Sequence, residues 1–128
     1  MTVNSIFALF IGANSLLLVA LAFYISSLRI KHKISTGDGG NSQLFKAIRT
    51  HANGVEQVPI FSFVLLTLIY LGSDFTFVVV LALGFTLARL LHAYGMLFRA
   101  HKGRQIGAAI TYLLQVVGAI AVVIGALH

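Results

Sequence analysis

The chain has 128 residues, of which 59% are hydrophobic and 9% charged, with a formal charge of +6. A soluble domain carries about 25% charged residues, so this is the composition of a membrane protein, and the length suits one domain rather than two. Cysteine is absent, which excludes disulfides, thiolate metal sites and a cysteine nucleophile. The basic excess lies mainly in the connections between apolar stretches, as the positive-inside bias produces, so it gives no argument for nucleic-acid binding.

Met1 to Leu28 holds no charged side chain and is longer than the roughly 20 residues that cross a hydrocarbon core. It reads as a first span over about residues 3–28. No Lys or Arg precedes Arg29, which argues against a cleaved signal peptide. Asn14, alone in the middle of the span, is expected to hydrogen-bond to another helix. The span ends at Arg29, Lys31 and Lys33, and the glycine-rich stretch Ser35 to Ser42 follows as a loop.

Asn41 or Ser42 can cap a second helix, expected over about residues 43–71. Its early turns carry the most informative stretch of the chain. Arg49 and Asn53 are spaced i, i+4 and Asn53 and Glu56 i, i+3, so a fixed cation, an amide and an anion share one helix face. Gln57 to Ser73 then runs without a charge, which puts the triplet where a span meets its interface. Charges at that depth are costly, so they mark either a functional site or a structural ion pair. Pro59 leaves the Val55 carbonyl without its helical partner, and a kink is expected beside Glu56.

Gly72, Ser73 and Asp74 form a tight turn, and a third span is expected over about residues 75–98. Arg89 and His92 interrupt it at i, i+3 spacing. Facing lipid, Arg89 would cost at least about 2.5 kcal/mol. It is therefore expected to face the bundle, either paired with Glu56 or in contact with a ligand. His92 has no second His, Cys or carboxylate at ligand spacing, so no metal site is expected. Arg99 to Arg104 reads as a second basic connection, and about residues 105–127 as a fourth span. Gly103 and Gly107 are four apart and allow close helix packing. Tyr112 and Gln115 can bond across helices or line a site.

Arg29, Lys31, Lys33, Lys46, Arg49, Arg99, Lys102 and Arg104 all belong to one side of this arrangement. The positive-inside bias makes that side cytoplasmic, with both termini on the other. The basic residues would then surround the cytoplasmic end of an all-α bundle of four transmembrane helices. Arginine forks there suit a small ligand with more than one carboxylate, and Glu56 suits its amine. A thiol placed beside such an arginine would be favoured as thiolate.

Arg49, Asn53, Glu56 and Pro59, followed by Leu87, Arg89, His92, Gly95 and a basic loop ending at Arg104, resemble the MAPEG family of membrane-associated proteins in eicosanoid and glutathione metabolism. The resemblance covers nearly the whole chain, and its short loops are similar to those of bacterial members. It implies a left-handed four-helix bundle in a homotrimer, in an inner membrane, with glutathione as co-substrate between protomers. Carried over, Arg29, Arg49, Asn53, Glu56, Arg89 and His92 would bind glutathione. Arg104, with Arg99 as the alternative, would stabilise its thiolate for attack on a lipophilic electrophile, the activity of a glutathione transferase or peroxidase. His92 and Met96 depart from the tyrosines of some members. Two other readings stand beside this one: a member of the same fold that binds lipid or a partner without turnover, and a small proton-coupled multidrug exporter. Exporters of that kind carry their glutamate in the first span, which here has no charge.

Overall fold

The computed structural model describes residues 1–128. Four helices follow one another: α1 (Val3–His32), α2 (Ser42–Tyr70), α3 (Phe75–Leu97) and α4 (His101–Ala126). All four are long and apolar enough to cross a membrane. The protein is an all-α integral membrane protein built as a bundle of four transmembrane helices.

Local signals set most of the boundaries. Thr2, Asn41 and Asp74 cap α1, α2 and α3 by accepting the backbone N–H groups of Ser5, Leu44 and Phe77, each satisfying a donor that the first turn cannot. At a rise of about 1.5 Å per residue, the 30 residues of α1 extend about 45 Å. That exceeds a hydrocarbon core of about 30 Å, so α1 continues past its apolar segment.

Two boundaries depart from the sequence reading for physical reasons. α1 ends at His32 rather than near Leu28, because Arg29, Lys31 and His32 suit a helix C-terminus. Lys33 then closes the helix in the left-handed region with φ 54°. The expected basic loop of residues 99–104 shrinks to a turn, since α4 begins at His101. Arg99, at φ 58°, is the left-handed residue of that turn. Arg104 therefore stands in the first turn of a helix.

The inner helices are α2 and α3. α1 and α4 flank them on opposite sides and do not touch each other. The core centres on Phe61 and Phe85, stacked with centroids 4.0 Å apart, and Phe10 of α1 meets Phe85 edge-on at 5.8 Å. Towards the basic end, a smaller cluster of Leu28, Leu44 and Ala47 joins α1 to α2. Asn14 makes the expected interhelical bond: its Nδ2 donates to Thr86 Oγ1 on α3 at 2.9 Å. Gln115 of α4 donates to the Gln57 carbonyl of α2 at 3.4 Å, and Tyr112 is exposed. Pro59 does not end α2, which continues to Tyr70.

The closest helix approach is between α3 and α4, and glycine allows it. A Cβ on Gly95 would overlap the backbone of Arg104, and one on Gly107 would sit 2.6 Å from the His92 nitrogen. Gly103 lies over Gly95, whose Cα would be 3.7 Å from an added Cβ. This contact fixes the start of α4 against the end of α3.

Candidate functional site

α2, α3 and α4 enclose a cleft at the basic end of the bundle, with a volume of about 410 Å³. α2 contributes Phe45, Arg49 and Asn53, which are successive i, i+4 positions on one stripe. α3 contributes His92 and Met96 at the same spacing, and α4 contributes Arg104, Gln105 and Ala108. Close packing at Gly95 and Gly107 holds the Arg104 turn beside His92. The volume lies within the range of about 300–1,000 Å³ that is typical of small-ligand pockets.

The lining is strongly biased towards hydrogen-bond donors. Two guanidinium groups face the cleft and no carboxylate does. Phe45, Met96 and Ala108 supply an apolar wall. Such a site suits an anion with carboxylates for the arginine forks and an apolar part, or an apolar co-reactant, beside them.

Arg89 stands behind His92 and is only 2% exposed. Its Nη2 lies 3.3 Å from His92 Nδ1, and its Nε is enclosed without a partner. The ion pair with Glu56 that the sequence left open does not form. Glu56 is exposed on α2, one turn beyond Asn53, whereas Arg89 is enclosed within the bundle. Sharing a face with Asn53 is not enough to carry that carboxylate into the interior.

The remaining sequence candidates are placed elsewhere in the chain. Glu56 is outside the cleft lining. Arg29 donates from Nη1 to the Gly37 carbonyl at 2.7 Å and borders a shallow surface cleft with Lys33. Arg99 lines a separate hollow with Tyr24, Gln43 and Lys46. Of the two arginines weighed for the thiol, Arg104 is the one that shares the cleft with Arg49 and Asn53. Phe45, Gln105 and Ala108 were not singled out from the sequence. Helical spacing could have found two of them, since Phe45 is four residues before Arg49 and Ala108 four after Arg104.

A four-span membrane protein with a donor-lined cleft at its basic end is thus the class that fold and site define. The chain belongs to the MAPEG family, whose profile matches residues 7–124. It is 33% identical over 105 residues to Inner membrane protein YecN of Escherichia coli strain K12, covering 82% of this chain and 80% of that one. The protein of the same name from Escherichia coli O6:H1, strain CFT073, is similar to the same extent. Membership in this family sets aside the multidrug-exporter reading.

Proposed function

We propose that the protein binds glutathione in the Arg49–Arg104 cleft and uses it against lipophilic electrophiles. The observation that carries this reading is the convergence of Arg49, Asn53, His92 and Arg104 on one cleft with no carboxylate in its lining. Arg49 and Asn53 hold the carboxylates and backbone of the tripeptide. Arg104 stabilises the sulfur as thiolate, because a neighbouring cation favours the charged form. The thiolate attacks an electrophilic carbon from the apolar side of the cleft, an S–C bond forms, and the leaving group departs with its electron pair.

Arg29 and Glu56 enter this reading through assembly. Arg29 lies outside the cleft of its own chain and donates to the Gly37 carbonyl, and in this reading it serves the cleft of a neighbouring copy. A homotrimer, as the family resemblance implies, supplies that neighbour, and Glu56 then meets the ligand amine at the subunit boundary. The basic end faces the cytoplasm under the positive-inside bias, with both termini opposite. The YecN likeness supports a bacterial inner membrane as the location.

Ultraviolet difference spectroscopy of the detergent-purified protein tests this. Titration with glutathione near neutral pH is expected to give a saturable thiolate band, weakened in Arg104→Ala. Absence of a band, with no competition by glutathione analogues, would overturn the reading and favour the lipid- or partner-binding alternative.

A further inference from the structure

We infer that Arg89 is a positioning residue that holds His92 in the neutral tautomer protonated at Nε2, so that His92 presents a hydrogen-bond donor to the cleft. This rests on the cleft being the ligand site proposed above. Arg89 is enclosed among α3 and its neighbours, with no carboxylate partner. A guanidinium carries only donors. Its Nη2 lies 3.3 Å from His92 Nδ1, and that contact is a hydrogen bond only when Nδ1 accepts. The single proton of the neutral ring is then on Nε2, while a doubly protonated ring would set two donors against each other.

The free nitrogen has somewhere to point. The enclosed side-chain atoms without partners are Asn14 Oδ1, His32 Nε2 and Arg89 Nε, and His92 Nε2 is not among them. It also has no hydrogen-bond partner within the chain, so it reaches open space, and His92 lines the Arg49–Arg104 cleft. The backbone at His92 is pinned as well. A Cβ on Gly107 would stand 2.6 Å from its nitrogen, so α4 leaves α3 no room to turn.

Two consequences follow for the ligand. The group that meets His92 is an acceptor, a carboxylate or carbonyl, which places a free acid rather than an amine at this corner of the cleft. His92 also cannot accept the thiol proton, because its cleft-facing nitrogen already carries one. That leaves thiolate formation to cationic stabilisation by Arg104 and transfer of the proton to solvent.

The test has a readout that needs no ligand. Ring-nitrogen NMR of the full chain in nanodiscs is expected to show His92 with an unprotonated Nδ1 and a protonated Nε2, the signal being assigned by its loss in His92→Gln. Arg89→Met is expected to release the ring to a mixture of tautomers. A wild-type His92 protonated at Nδ1, or an unchanged tautomer in a folded Arg89→Met, would overturn the inference, and the wild-type spectrum decides if that variant does not fold. In glutathione titration, His92→Phe is expected to weaken binding about tenfold or more, whereas His92→Gln, whose amide N–H replaces the donor, stays within about threefold. Equal losses in both variants would refute the donor role. The expected tautomer together with no glutathione binding by the wild type would support the positioning role while overturning the proposed function, so the two fail separately.

Discussion

Gly107→Ala tests whether the α3–α4 contact holds the cleft together. The added Cβ would be 2.6 Å from the His92 nitrogen and 2.7 Å from the Ala88 carbonyl oxygen, where ordinary contact begins at 3.4 Å. Both neighbours are backbone, so no side chain can swing aside, and the helices have to part by about 0.8 Å. Overpacking of this kind costs about 1–3 kcal/mol. The displacement also moves Arg104 and Ala108 away from His92 and Met96 across the cleft. A misplacement of about 1 Å in a positioned group can cost on the order of a hundredfold in function. The control is Gly12→Ala on α1, where nothing lies within 4 Å of the added methyl; removing a helical glycine there should leave the protein unchanged or slightly more stable. Thermal unfolding in detergent and glutathione titration on both variants give the comparison. Gly107→Ala with the midpoint and affinity of the parent would refute the claim that this glycine sets the spacing of the site.

Arg49→Ala removes a charge-assisted contact, and glutathione affinity is expected to fall about tenfold to a hundredfold; unchanged affinity by calorimetry would remove Arg49 from the site. Arg104→Ala is expected to lower turnover more than binding, while Arg99→Ala, whose side chain lines a different hollow, should change neither; the reverse pattern in steady-state kinetics would reassign the role. Phe85→Ala removes one member of the aromatic stack and should destabilise the fold by about 3–5 kcal/mol. Asn14→Leu removes one interhelical bond, of a kind worth about 0.6–1.7 kcal/mol in membranes, together with the unpartnered Oδ1. A loss for Asn14→Leu in denaturant titration as large as that for Phe85→Ala would refute the reading that the aromatic cluster around Phe85 outweighs the polar link between α1 and α3.

The spans were legible in the sequence because charge is so sparse that every basic cluster marks an end. Their exact limits were less so, since a run of Lys and Arg reads as loop yet suits a helix terminus. Arg29 to His32 continue α1, and His101 to Arg104 begin α4. The shared stripe of Arg49 and Asn53 was equally readable from i, i+4 spacing, which is a property of one helix. Partnership between helices is not. Glu56 was the only acid outside the loops and turns, and that made it the obvious counter-charge for Arg89.

Arg89 and Glu56 separate because the azimuth of each helix is decided by packing rather than by charge. α3 is drawn onto α4 by Gly95, Gly103 and Gly107, and that contact leaves Arg89 enclosed with His92 while Glu56 remains on the outer surface of α2. An unpaired interior guanidinium is expensive, and a protein that kept it only for stability could replace it with an apolar side chain at no loss. Its place behind a histidine that lines the donor-rich cleft gives the expense a use. The positive charge adds to the attraction for an anion, and the guanidinium decides which nitrogen of the ring can meet it.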